Sequence, residues 1–492
     1  MKHAPRLSEQ SHDIQGMLKS GFGWLKSSRF WLLTIRDGRE DQARAWLAHL
    51  VDSKLVVSAK CVAKGKTKGK TKSKTKSKTK SKTKGKAEPE ASIGEAVSVA
   101  FSYAGLKKLG CTEAETHPFP TPFSSGMGSA LRQDLLRDAP RDDWRWSDVE
   151  GASGRQTVHI LVAQWWVLDA TARMEEPDPA VFIVETVENN PCSFADGQLR
   201  EPFGFRDGLA QPVIRDLRDE EGATPQQARK DAGKLYEDRV VEPGEFILGY
   251  RNEYDELTYC PNVNEWPQTK DRFTLNGSYL AVRQIEQYVD AFKQFEAANG
   301  QPTCEKLMGR RKDGMPLGWQ GPPGSNSAAD AFRYRVEDAN GFVCPKGAHI
   351  RRSNPRDSLG IDVPSSIKSS KLHRLLRRGR PYREKTETGH REGIFFIACN
   401  ADLERQFEFI HQRWLQNPRF GTLEKQDDPI VGSLAGDKSF IIPGSPSGGE
   451  VTLASFTGAR GGGYFFLPGI AALKFIAGAK IGATHRLEAA AS

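Results

Sequence analysis

Three short segments carry residue types able to do chemistry. The first is Glu201-Pro202-Phe203-Gly204-Phe205-Arg206-Asp207-Gly208. Two glycines flanking an acid make a tight bend in which backbone can come close to a ligand, with the Asp207 carboxylate beside it. A plain turn has the same composition. The second runs from Cys344 to Arg356. His349 follows small residues and precedes Arg351, Arg352 and Arg356, so it reads either as a metal ligand beside an anion site or as an exposed basic loop. The third, His373 to Tyr382, holds Arg374, Arg377, Arg378 and Arg380 around Leu375 and Leu376. It is a strongly basic segment with two leucines as an apolar anchor, or else a solvated strand or loop. No phosphate-binding loop, HExxH pair, nucleophile elbow or calcium loop competes with these three.

The elements that must position them read as mixed strands and helices. Phe30–Ile35, Ala96–Phe101, His159–Leu168 and Val181–Thr186 have strand character, and Asp41–Val51 has apolar residues at helical spacing. The segment Thr224–Leu235 reads as polar and helical. The chain restarts in an apolar run at Phe246–Tyr250, followed by a strand at Ser278–Val282 and an amphipathic helix from Arg283 to Ala298. Later come a buried-type strand at Gly393–Ala398, a helix at Ala401–Gln416 and a glycine-rich lead into the strand Tyr464-Phe465-Phe466. The lack of regular strand–helix alternation predicts an α+β fold in two units of similar size.

At 492 residues the chain exceeds one ordinary domain, and with 38% hydrophobic and 27% charged residues it is globular rather than fibrous or disordered. Its apolar stretch Phe465–Ala483 is broken by Pro468, Lys474 and Lys480, so no membrane span is expected. The net charge of +9 belongs to one tract. Twelve lysines lie between Lys64 and Lys86, and without them the charge is −3. The folded body is therefore not marked as a nucleic-acid binder. The tract repels itself and is expected to be a disordered surface insert over 62–90. It is a tolerated expansion or a tether to an anionic surface. Seven scattered cysteines without a CxxC pair point to free thiols. Met1–Gln15 has no apolar signal region, which points to a cytoplasmic protein.

Taken in order, the three segments resemble the dye-decolorising peroxidase family, whose members bind haem b. The likeness also takes in Asp13-Ile14-Gln15-Gly16, Pro243-Gly244-Glu245-Phe246, Asn276-Gly277-Ser278-Tyr279, Leu307-Met308-Gly309-Arg310, Asp402–Phe407 and Gly461–Pro468. The lysine tract lies outside the family pattern. The resemblance implies two ferredoxin-like domains with antiparallel sheets, over residues 1–215 and 240–480, with haem in the second and Asp207 capping it from the first. It implies His349 as proximal ligand and metal-binding residue, with Asp207 as distal acid–base and Arg377 as distal guanidinium. Gly208, Leu209, Ala210, Asn354, Pro355 and Arg356 would line the haem, Arg356 facing a propionate. Ile394 and Phe396, alternate residues of one strand, would wall the peroxide pocket. Ser455, before Phe456, stands where several relatives carry an acid, which leaves the hydrogen-bond partner of His349 open.

The residue types suit that chemistry. Hydrogen peroxide gives up a proton and then needs one returned to the leaving oxygen as its O–O bond breaks, so one acid–base group serves both steps. A guanidinium stabilises the charge that develops on the departing oxygen. A free aspartate stays ionised down to about pH 4, whereas histidine is mostly protonated below about pH 6.5, so a distal aspartate predicts an acidic optimum. The expected partners are hydrogen peroxide and a one-electron donor such as a dye or phenol. The rival reading is a haem-handling protein without peroxide turnover. It would keep His349 but have no use for Asp207 and Arg377. Ten Trp and ten Tyr are too many to single out a surface oxidation site, and the oligomeric state is not legible.

Overall fold

The structure, a computed structural model, describes residues 6–62, 93–137, 143–151, 154–189, 198–217, 229–230, 233–267, 271–320, 326–387, 389–432, 438–444 and 449–478. The lysine tract and most of Thr224–Leu235 lie outside them.

Among the described residues nine strands form the antiparallel part of an eleven-stranded sheet, to which Trp146–Ser147 and Gln156–Thr157 add as short parallel strands. The nine are β1 (Ser27–Ile35), β2 (Glu95–Phe101), β3 (Ile160–Trp166), β4 (Phe182–Glu188), β5 (Ser278–Gln287), β6 (Leu376–Arg377), β7 (Arg380–Thr386), β8 (Gly389–Asn400) and β9 (Thr457–Leu467). Their order is β6-β8-β5-β9-β2-β3-β1-β4, with β7 also paired to β8. The first four strands lie β2-β3-β1-β4. The later group lies β6-β8-β5-β9 and repeats that order, the arrangement of a ferredoxin-like unit. The two groups meet where Phe466 of β9 pairs with Phe101 of β2.

The strands β1, β2 and β3 are rich in β-branched and aromatic residues and are buried on both faces. Trp31, Leu33 and Ile35 of β1 join one core layer with Val97, Val99, Tyr464 and Phe466. Phe30 and Leu32 point the other way, to a layer with Trp165, Phe395, Ile397 and Phe465. Each such side chain contributes about 1.5–3 kcal/mol on burial. Helix α1 (Glu40–Asp52) packs Ala43, Leu47 and Leu50 into the first layer.

Two expectations change. The helix placed at Arg283–Ala298 begins only at Val289, as α2 (Val289–Asn299), and α3 (Gln301–Met308) follows it. Residues 283–287 stay extended because β5 is hydrogen-bonded on both sides: Ile285 faces Ile394 of β8 and Ala459 of β9. Pairing outweighs helical spacing there. The segment Ala401–Gln416 is wound as wide π turns over Glu404–Glu408 and Ile410–Leu415, with Glu408 N–H donating to Leu403 O and Gln416 N–H to His411 O, both at 2.9 Å. The run Phe246–Tyr250 forms turns after a short 3-10 helix, with Phe246 and Ile247 fully buried.

Candidate active site

The sheet face that carries Ile394 and Phe396 of β8 and Arg283, Ile285 and Gln287 of β5 forms one wall of a cavity of about 540 Å³. The size is that of a cofactor site. Met308, Ile350, Ile430 and Val431 add apolar lining, and Phe407, Ile410 and His411 come from the π turns. Residues of the first half reach it through one loop, with Glu201, Phe205, Asp207, Leu209 and Ala210 on the wall, and through Arg137.

Asp207 sits at the end of a hairpin-like bend. Asp207 N–H donates to Leu199 O (2.8 Å), Glu201 N–H to Phe205 O (3.0 Å) and Gly204 N–H to Glu201 O (2.8 Å). Gly204 and Gly208 have φ of 92° and 79°, which explains the two glycines of the motif. The Asp207 carboxylate accepts from Gly208 N–H at 2.6 Å and meets Arg377 Nη1 at 3.4 Å. Arg377 reaches it from β6, where alternation buries Leu376 in the core and turns Arg377 to the cavity. Its Nη2 donates to Leu209 O at 2.7 Å, and its backbone N–H donates to Gln211 Oε1 at 2.9 Å. The guanidinium is thus fixed at both ends of its fork.

His349 opens a short helix, α4 (His349–Ser353), and lines the cavity. The basic run around it is buried rather than solvated. Arg352 is fully buried and donates to Gly347 O (3.2 Å), Trp414 O (2.7 Å), Asn417 O (3.0 Å) and Gln426 O. It clamps α4 to the π turns. Arg351 binds Cys344 O at 2.7 Å and lies 4.5 Å from the Tyr334 ring centroid. In the third segment, Arg378 donates to Leu18 O (3.1 Å) and Arg380 to Gly21 O (2.6 Å), so these arginines bind backbone of the first half.

The partner of His349 left open in the sequence is Asp428. His349 Nδ1 lies 2.9 Å from Asp428 Oδ2 and 3.1 Å from Oδ1. Asp428 is 2% exposed and also accepts from Ile430 and Val431 N–H, each at 2.9 Å. Burial pushes its carboxyl up, but His349 and the backbone donors outweigh that and hold it below its ordinary value. Ser455 lies on the cavity wall and accepts from Lys438 Nζ at 3.3 Å.

Arg356 belongs to a buried cationic cluster. Asp330, 1% exposed, meets Arg239 Nε at 2.9 Å, Arg310 Nη2 at 3.5 Å and the Arg356 guanidinium. Arg374 adds a fourth charge near it. Burial pushes Arg310 and Arg374 down to about 10. One carboxylate facing four guanidiniums leaves buried positive charge at the cavity edge, where Arg310, Arg356 and Arg374 all line it. Leu209, Ala210 and Asn354 are wall residues too, and Asn354 Nδ2 is a buried donor without an acceptor among the described residues; Gly208 and Pro355 flank lining residues in sequence.

These features fit a haem. One imidazole is enough where the macrocycle supplies the other four donors, and His349 keeps Nε2 for it while Nδ1 is held by Asp428. Propionate carboxylates match the excess guanidinium charge. Asp428, Asp330 and Glu201 were not singled out in the sequence. Glu201 is 7% exposed. Its carboxylate accepts from Phe205 N–H (2.7 Å), Phe203 N–H (3.0 Å) and Gln287 Nε2 (2.5 Å). Burial, with a contribution from Asp207, pushes it up to about 7.

The chain is similar to proteins of known family and structure. Residues 246–433 match the family described as Dyp-type peroxidase, C-terminal. A multifunctional dye peroxidase from Amycolatopsis sp. is 28% identical over 425 residues, covering 77% of this chain and 83% of its own length. A dye-decolorizing peroxidase from Exidia glandulosa is 26% identical over 426 residues, covering 77% and 75%. The crystal structure of an Anabaena sp. DyP-type peroxidase shares the fold, with a TM-score of 0.69 at 20% identity over 96% of this chain and 95% of that one.

Proposed function

We propose that the chain is a haem-dependent peroxidase of the dye-decolorising family, in which Asp207 and Arg377 are the distal acid–base pair and His349, oriented by Asp428, would hold the iron of a haem b. The observation that carries this reading is that both pairs, Asp207 with Arg377 and His349 with Asp428, line or back a single cavity. The absence of a CxxCH sequence favours haem b over a thioether-attached haem.

Bound there, the haem supplies an iron centre that takes oxidising equivalents from peroxide and hands them to donors one electron at a time. The chain supplies the rest. The Asp207 carboxylate takes the first proton of hydrogen peroxide and returns it to the leaving oxygen as water forms. Arg377 meets that carboxylate at 3.4 Å and offers N–H donors to the negative charge developing on the leaving oxygen. Asp428 fixes the proton of His349 on Nδ1, which leaves Nε2 as the ligating atom. Ile394 and Phe396 keep water from the reacting oxygens, which strengthens the Asp207 and Arg377 interactions. Arg310, Arg356 and Arg374, which line the cavity, would hold the propionates. Dyes and phenols are the donor class, in keeping with the names of the relatives.

The test is an absorption spectrum of the haem-loaded protein before and after one equivalent of peroxide, with Asp207→Asn beside it. A Soret shift that is fast in the wild type and about 10²–10⁴-fold slower in D207N supports the reading. Equal rates would remove Asp207 from the mechanism.

A further inference from the structure

We infer that Glu201 is the positioning residue of the distal base: anchored to the sheet by Gln287, its carboxylate holds the backbone bend that presents Asp207 to the cavity. The inference rests on the reading of Asp207 as the distal base.

Gln287 ends β5, the inner strand between β8 and β9. Its Nε2 donates to Glu201 Oε2, and the two Glu201 oxygens take the N–H groups of Phe203 and Phe205. Those amides lie inside the bend whose far end is Asp207, closed by the Asp207 N–H to Leu199 O bond. A rigid strand, one amide, one carboxylate and a six-residue loop therefore connect the core to the base. One oxygen is available for each loop N–H, and a carboxyl group is the side chain that provides two. In Glu201→Gln, one of those amides would face an NH₂ group. The bend would persist, because Phe203 stacks on Phe292 at 4.1 Å and Arg200 Nη1 donates to Gly204 O at 2.9 Å, but it would be held more loosely. Loss of sub-ångström placement of a catalytic group costs up to about 10²-fold in rate.

The experiment compares wild type, E201Q, D207N and the double variant, each loaded with haem. The rate constant for reaction with peroxide is measured per haem, and kcat/KM for a phenolic donor is measured at saturating peroxide. E201Q is expected to load haem fully and lose about 10–100-fold in the peroxide constant. It should keep the donor kcat/KM, and the double variant should react no more slowly than D207N. Amide hydrogen exchange on the unloaded protein supplies a readout apart from activity. E201Q should speed exchange in residues 199–208 and leave 349–353 unchanged.

A wild-type peroxide constant in E201Q beside a slow D207N would overturn this inference alone, whereas a fast D207N would overturn the role of Asp207 with it. Full additivity in the double variant, or unchanged exchange in 199–208, would show that Glu201 does not act by placing Asp207. Should E201Q fail to fold, Gln287→Leu removes the anchor instead. It should give a smaller loss with the same non-additivity, and a wild-type peroxide constant there would equally overturn the inference.

Discussion

Replacing Asp428 by Asn exchanges one oxygen for an NH₂ group, yet the site leaves the new residue little choice of orientation. Oδ1 accepts from the N–H groups of both Ile430 and Val431 at 2.9 Å, so the amide oxygen must stay there. The NH₂ then faces His349 Nδ1, where Oδ2 stood at 2.9 Å. Two donors cannot share that line. The imidazole proton moves to Nε2, and the nitrogen needed for iron is blocked, as happens when an Asp→Asn change sets the wrong tautomer of a catalytic histidine. The lost interaction is a charge-assisted hydrogen bond between a half-buried imidazole and a buried carboxylate, roughly 1.5–3 kcal/mol. That corresponds to about 10–100-fold in haem affinity. The assay is haem transfer from the loaded protein to a scavenger of known affinity. The iron midpoint potential is measured alongside, and it should rise because His349, as the proposed ligand, would lose anionic character. Haem affinity and midpoint potential equal to wild type, in a D428N protein that unfolds at the same urea concentration, would refute the assignment of Asp428 to His349 and weaken that of His349 itself.

Other consequences are equally direct. Asp330→Asn leaves Arg239, Arg310 and Arg356 without their buried counter-charge. The unloaded protein should lose about 3–5 kcal/mol by urea unfolding, and haem loading should recover more stability in D330N than in wild type. Glu201, with its folded pKa raised from 4.5 to about 7, binds a proton in the folded state that it releases on unfolding between those values. Its contribution is present below about pH 4.5 and lost as pH rises to about 7, a fall of roughly 3 kcal/mol that should be missing from the pH–stability curve of E201Q. Arg377→Lys cannot serve Asp207 and Leu209 O together. The peroxide constant should fall about 10–100-fold at unchanged haem content, and an unaltered constant would count against the fork geometry.

The amino-acid sequence by itself determined the local features of this protein. Strand character at Phe30–Ile35 and Gly393–Ala398 follows from side-chain type, and alternation there already places Ile394 and Phe396 on one face. The bend at Gly204–Gly208 follows from glycines that tolerate positive φ. The segments that hold Asp207, His349 and Arg377 stand out by composition, and the family resemblance picks those three residues out within them. Relations across the chain were not legible. Asp428 lies 79 residues from His349, and nothing in Asp427-Asp428-Pro429 distinguishes it from a surface turn. Arg356 reads as an anion-binding residue in sequence, and only packing gives it Asp330, 26 residues away. The helical spacing from Arg283 was overridden by strands on both sides. Glu201 looked like part of a turn until burial and Gln287, 86 residues on, gave its carboxylate a task. Local conformation is set by side-chain sterics and hydrogen bonding within a few residues. The protonation state, orientation and partner of a buried group depend on what the sheet brings beside it, and that is fixed only once the chain has packed.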